Sequence, residues 1–155
     1  PGPSRRSREI SLVIEKALTP VLHLENYPNA VIDVYVELVQ TDSGTRCAGI
    51  CAAALALADA GIPMKDLPSA LAVGLVNGKI VVDLTKEEED TEGAVDIPIA
   101  VLPRTKEITL LQLDGEISPA DLRAALEEGI RAAEKINAIQ SEALKERYHH
   151  DIVDA

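Results

Sequence analysis

Thr41-Asp42-Ser43-Gly44-Thr45-Arg46 is a polar turn between two stretches of different period, and the reading of the fold starts there. Upstream, Ile32, Val34, Val36 and Leu38 alternate with Asp33, Tyr35 and Glu37. That period of two predicts a strand with one buried face. Downstream, the alanine-rich run from Cys47 to Asp59 predicts a helix. The turn is therefore expected at the carboxyl end of a strand and at the start of a helix. Unpaired backbone N–H groups and the positive end of the helix dipole attract anions at such a place. Gly44 permits close backbone approach, Thr45 offers a hydroxyl, and Arg46 carries a planar fork suited to paired phosphate oxygens. A plainer reading fits the same residues: Asp42 or Ser43 caps the helix and Arg46 is a solvated charge.

Working outward, Gly61 and Pro63 end the helix, one as a left-handed cap and the other by blocking continuation. Ser69 to Val76 then predicts a second strand, so strand, helix and strand form a βαβ unit with parallel strands and a right-handed crossover. Asn77-Gly78 is a type I′ hairpin signal that returns the chain through Lys79 to Leu84. Lys86 to Asp96 holds six acidic residues against one lysine and is expected to be a loop. Ile97 to Pro103 and Glu107 to Asp114 predict two more strands, Pro98 placing the first at an edge or strand start. Ser118 caps a long helix with Pro119 at its first position. Leu122, Leu126, Ile130, Ala133, Ile136, Ile139 and Ala143 form its apolar stripe to about Arg147, with a frayed tail from His149. Upstream of the turn, Pro1-Gly2-Pro3 reads as extended. Ser4 caps a helix from Arg5 or Arg6 to about Leu22, with Pro20 stopping it, and Tyr27-Pro28-Asn29 turns into the central strand. The expected class is α/β (α+β), a mixed sheet with flanking helices.

A length of 155 residues with 46% hydrophobic content suits a globular chain with its own core. The formal charge of −11 excludes binding nucleic acid by bulk charge, so contacts with RNA must be local or shared with a basic partner. With no Trp or Phe, base stacking falls to Tyr27, Tyr35 or Tyr148. Cys47 and Cys51 share a helix face without a His or further Cys spaced to complete a metal site, and read as small core residues. Two cysteines without a signal peptide suit a reducing cytoplasm, and no apolar run approaches membrane-spanning length. His23, His149 and His150 are too scattered for Ser-His-Asp catalysis. The first residue is Pro1 rather than Met, so the sequence reads as a piece of a longer chain.

Three polar groups remain: Arg5-Arg6, the turn Ser43 to Arg46, and the acidic stretch with Asp90 and Asp96. Together they suggest phosphoryl chemistry. Adjacent arginines bind phosphodiester oxygens, a helix start holds a second anion, and carboxylates donate a proton or hold a metal. Each also has a plain reading as solvated surface, although cations at a helix N-terminus oppose the dipole and call for an anion nearby.

The runs SRRSREI (4–10), DSGTR (42–46), ALALADAGIPMKDL (54–67) and DLTKEEEDTEGAVDIP (83–98) resemble the RNase PH family, and within it the catalytic subunit of the archaeal exosome. The similarity extends from Ser4 to about Tyr148. It implies one RNase PH-like domain over 1–155, the C-terminal portion of a longer domain whose N-terminal strands are absent here. It also implies a phosphorolytic 3′→5′ exoribonuclease, in which inorganic phosphate is the co-substrate and nucleoside diphosphates are released. By that resemblance Arg5 and Arg6 grip RNA; Gly44, Thr45 and Arg46 bind phosphate; Asp90 and Asp96 are the catalytic pair and candidate ligands of a divalent metal such as Mg. Glu87, Glu88 and Glu89 fall to the solvated rim. The implied partners are RNA, a paralogous non-catalytic RNase PH-like subunit in a hetero-oligomeric ring, and RNA-binding cap subunits, with no membrane involved. The rival readings are a non-catalytic ring subunit and a bacterial-type tRNA-trimming RNase PH.

Overall fold

The computed structural model describes the backbone of residues 4–153 and the side chains of 4–149. The extended reading of Pro1-Gly2-Pro3 lies outside the described residues. Helix α1 spans Arg5–Leu18, where Ser4 accepts from the Ser7 amide, and a single 3₁₀ turn at Thr19–Val21 follows where Pro20 interrupts it. Helix α2 spans Thr45–Asp59 and ends at Gly61, which takes the left-handed conformation expected of it (φ 75°). Strands β1 (Ser69–Val76) and β2 (Lys79–Val82) are joined through Asn77 (φ 50°) and Gly78 (φ 72°), the two positive angles a type I′ turn requires. A short helix α3, Lys86–Glu89, precedes strands β3 (Val95–Leu102) and β4 (Glu107–Leu111). Helix α4 then runs 35 residues, Pro119–Val153, continuing past the point where the sequence suggested fraying. Ser118 caps it, accepting from the Asp121 amide.

The sheet has the order β2-β1-β3-β4 and every pairing is antiparallel. The α-and-β class with flanking helices is as expected; the mixed sheet and the parallel βαβ unit are not. Residues 30–41 do not become a strand, and the expected buried face is only half realised, since Val34 and Leu38 are exposed. Ile32 and Val36 pack against the core of α1 and α2, whereas Val31 is 83% exposed and Val39 fully exposed. The reason is that no strand lies alongside this segment among the described residues, and a strand is defined by a ladder as well as by a pattern.

Three layers result. On one face of the sheet Ile14, Ala17 and Leu18 of α1 meet Ile50, Ala53, Ala54 and Leu57 of α2, over Ala70 and Ala100. On the other, Leu71, Val73, Ile97, Ile99 and Val101 face α4. Alternation along β3 thus divides it cleanly: odd positions go to α4 and even positions to α2. On α4 the buried line runs through Ala125, Gly129 and Ala133, while Ile139 of the expected stripe is 72% exposed. A methyl on Gly129 would come within 2.5 Å of Ile99 Cδ1, so the small residues set how closely the helix approaches the sheet. Farther along, buried Gln140 accepts from Ser69 Oγ at 2.6 Å and locks the helix to the start of β1.

Pro98 is in a central strand, not at an edge. The Asp83 amide donates to Ala72 O, which turns the Ala72–Pro98 pair's backbone groups away from each other. Pro98 therefore faces β4, where its carbonyl accepts from the Gln112 amide and its missing N–H coincides with the end of the β4 ladder at Leu111. Pairing resumes at the Asp96–Asp114 bridge.

Candidate active site

The turn before α2 is left-handed at two consecutive residues, Ser43 (φ 59°) and Gly44 (φ 56°). No side chain caps the helix. This removes the plainer reading in which Asp42 or Ser43 serves as the cap. Asp42 Oδ1 instead accepts from the Lys86 amide at 3.1 Å, and Ser43 Oγ donates to Glu89 Oε2 at 2.6 Å. Both side chains are spent on tying the turn to α3. The start of α2 is left with uncapped N–H groups and its dipole, the arrangement that binds anions.

The acidic stretch is not a loop. Thr85 and Glu88 form a capping box around α3, Thr85 Oγ1 accepting from the Glu88 amide while Glu88 Oε2 accepts from the Thr85 amide. The Thr-x-x-Glu signature was present in the sequence and was masked by the density of acids around it. Helical spacing then places Lys86 beside Asp90, with Nζ 2.6 Å from Oδ1, and 3.7 Å from Glu89. Only Glu87 is the solvated rim residue that all three glutamates were expected to be: Glu88 caps α3, and Glu89 holds Ser43.

Asp96 and Asp90 have different surroundings. Asp90 is an exposed C-cap residue paired with Lys86. Asp96, at an even position of β3, projects to the α2 face, opposite Gly74 on one side and Asp114 on the other. Burial, then the charge of Glu89 and less strongly that of Asp114, push its carboxyl above the usual range, with Arg46 opposing. Its Oδ1 is buried without a hydrogen-bond partner.

Arg46 reaches from the first turn of α2 to Gln112, donating from Nη1 to Oε1 at 2.6 Å. No described carboxylate lies within ion-pair distance of it. Asp83 stands on the other side of the turn, its Oδ1 3.7 Å from where a methyl on Gly44 would sit. Asp83, Glu89, Gln112 and Asp114 were all missed by the sequence reading, since nothing in their local pattern brings them to residues 43–46.

Arg5 and Arg6 occupy the first turn of α1, exposed, with no acidic residue in that turn and no ion-pair partner among the described residues. Arg6 and Thr45 line one groove of about 760 Å³, whose remaining walls are mainly apolar residues of α1 and of 30–41. Arg5, Arg46, Asp90 and Asp96 lie outside it. Cys47 and Cys51 behave as core residues: burial pushes the Cys47 thiol up to about 12, and Cys51 Sγ donates to Ala70 O at 3.3 Å. Among the described residues no three His, Cys, Asp or Glu side chains converge as a metal site.

Residues 1–63 match the 3′ exoribonuclease family (RNase PH), domain 1, and residues 66–132 match domain 2 of the same family. Over 148 residues the chain is 51% identical to the exosome complex component Rrp41 of Thermococcus gammatolerans, 52% to that of Pyrococcus furiosus and 48% to that of Thermoplasma acidophilum. Each alignment covers 96% of this chain and 59% of the relative, so the chain spans little more than half the length of these proteins. The crystal structure of rice (Oryza sativa) Rrp46 superposes with a TM-score of 0.85 over 94% of this chain and 68% of that one, at 23% identity, which shows a shared fold. With the two family matches adjoining one another over most of its length, the chain belongs to the 3′ exoribonuclease (RNase PH) family.

Proposed function

We propose that this chain is the catalytic subunit of a phosphate-dependent 3′→5′ exoribonuclease, working in the cytoplasm within an exosome ring beside a paralogous silent subunit and under RNA-binding cap subunits. The observation that carries the reading is the placement of Asp96. A carboxyl held above its usual range shares the α2 face with a guanidinium that has no carboxylate partner among the described residues, beside an uncapped helix start. Arg46 and the N–H groups around Gly44 and Thr45 hold inorganic phosphate. Arg5 and Arg6, without an ion-pair partner among the described residues at the start of α1, hold the RNA backbone.

A phosphate oxygen attacks the terminal phosphodiester, and the bond from phosphorus to the 3′ oxygen of the preceding nucleotide breaks. That oxygen leaves with a proton from Asp96. The products are a nucleoside diphosphate and an RNA one residue shorter. Burial and the charges of Glu89 and Asp114, opposed by Arg46 alone, favour keeping the proton on Asp96 until it is needed. Asp90, the second carboxylate that the resemblance implies, is exposed and paired with Lys86, so its part in the reaction requires that ion pair to open. A divalent cation such as Mg is the alternative to the Asp96 proton: Asp96 Oδ1 has no hydrogen-bond partner among the described residues, and Asp96 as the ionised carboxylate would hold the ion together with substrate phosphate. When bound, it would neutralise charge developing on the leaving oxygen.

The test is the breakdown of end-labelled RNA by the assembled enzyme, with and without phosphate. Nucleoside diphosphates should appear only with phosphate, and Arg46→Ala should raise the phosphate concentration required. RNA binding without turnover would instead identify a structural ring subunit. Trimming confined to tRNA ends would identify the bacterial-type enzyme.

A further inference from the structure

The segment after β4 presents Gln112 and Asp114 to the α2 face because of an irregularity in β4. Ile99 pairs with Leu111 and Ala100 with Leu110, but Val101 pairs with Ile108, so Thr109 is an extra residue in β4. A one-residue shift of this kind exchanges the faces of every side chain beyond it. Downstream of the bulge, Gln112 therefore lies opposite Pro98 and Asp114 opposite Asp96, with the even-numbered side chains of both strands on the α2 side. The Gln112 amide donates to Pro98 O at 3.0 Å, fixing the backbone from which its side chain extends to Arg46.

We propose that Gln112 is the positioning residue of the phosphate-binding arginine: its amide oxygen holds the Arg46 guanidinium in place without neutralising it. The proposal rests on the reading of Arg46 as a phosphate ligand. The chemical choice of an amide carries it. Asp83, Glu89, Asp96 and Asp114 all lie around this turn, and any of them in direct contact would anchor Arg46 equally well. Contact with a carboxylate would, however, cancel the charge an incoming phosphate needs and occupy the fork's paired donors. The neutral Gln112 oxygen takes a single N–H of the fork, leaving the positive charge and the remaining donors available. Gln112 meets that requirement at 2.6 Å, while no described carboxylate comes within ion-pair reach of Arg46.

Two isosteric substitutions separate this role from packing. Gln112→Met keeps length and volume but removes the acceptor. Gln112→Glu keeps the acceptor and adds the charge. In phosphorolysis by the assembled enzyme, Gln112→Met should raise the KM for phosphate by about fivefold to tenfold, a share of what a hydrogen bond to a charged group is worth, with kcat at saturating phosphate changed far less. Gln112→Glu should raise it further at neutral pH. Its KM should fall back toward the parent's as pH drops and the introduced carboxyl takes up a proton, a recovery that a packing defect does not produce. Arg46→Ala is run in parallel. If Arg46→Ala leaves the phosphate KM unchanged, the phosphate reading itself fails and takes this proposal with it. If Arg46→Ala raises the KM while Gln112→Met matches the parent, or Gln112→Glu shows the parent's KM at every pH, Gln112 alone is misassigned. Should the Met variant not fold, the pH profile of the Glu variant decides.

Discussion

Asp96→Asn should inactivate the protein and stabilise it, and the two effects have a common origin. In the folded chain burial and the charges of Glu89 and Asp114 raise the Asp96 pKa above its ordinary value of 3.8, and its Oδ1 has no partner. The folded state therefore retains a proton over a pH range in which the unfolded chain has lost it. With more protons bound in the native state, stability must fall as pH rises. The penalty is absent below the ordinary Asp value, accumulates as pH climbs through the raised value, and is constant beyond it. The penalty is that of ionising a half-buried carboxyl beside Glu89 and Asp114, and partial exposure with the opposing charge of Arg46 holds it to about 1 kcal/mol. For a chain of 155 residues that is a melting shift of roughly 3 °C. Asn cannot ionise, so its melting temperature should gain on the parent's by this amount between pH 4 and pH 8. Turnover should meanwhile fall by about 10²–10⁴-fold for loss of the general acid. Melting by circular dichroism across that range, with phosphate-dependent RNA breakdown on the same preparations, makes the measurement. Parallel melting profiles for the two proteins would refute the argument from burial, and turnover within tenfold of the parent would refute the role of Asp96 as acid.

Replacing Arg5 and Arg6 together by alanine should weaken RNA binding at low salt and flatten its salt dependence by about 0.7 in log–log slope for each phosphate no longer neutralised, read by fluorescence anisotropy; an unchanged slope would return both residues to the solvated surface. Gly74→Ala should cost about 2–3 kcal/mol in urea denaturation, because the added methyl would lie 2.0 Å from the Val95 carbonyl oxygen, a backbone atom held in the β1–β3 ladder; a loss below 0.5 kcal/mol would show that the strands can separate there.

The chain's own pattern was sufficient wherever the decisive interactions were local. Ser4 and Ser118 announced their helices, Gly61 the end of α2, Asn77-Gly78 the hairpin, and the apolar run 69–76 a strand with the boundaries observed. Thr85 and Glu88 announced α3 as well, though the surrounding charge hid the signal. The runs at 42–46 and 83–98 also located Arg46 and Asp96, two residues the fold brings to one face. Alternation at Ile32 to Leu38 could not supply the neighbour that makes a strand, and of the face it marked as buried only Ile32 and Val36 pack on the core, Val34 and Leu38 being exposed. Long-range pairing decided the rest. The antiparallel order around β1 and β3, the tolerance of Pro98 where the β4 ladder stops, and the division of β3 between α2 and α4 all depend on register across strands. Register depends in turn on a single extra residue at Thr109, which no local preference marks. That residue is why Gln112 and Asp114 lie on the α2 side of the sheet rather than against α4: side chains alternate with a period of two, and one residue more or less on a strand exchanges its faces.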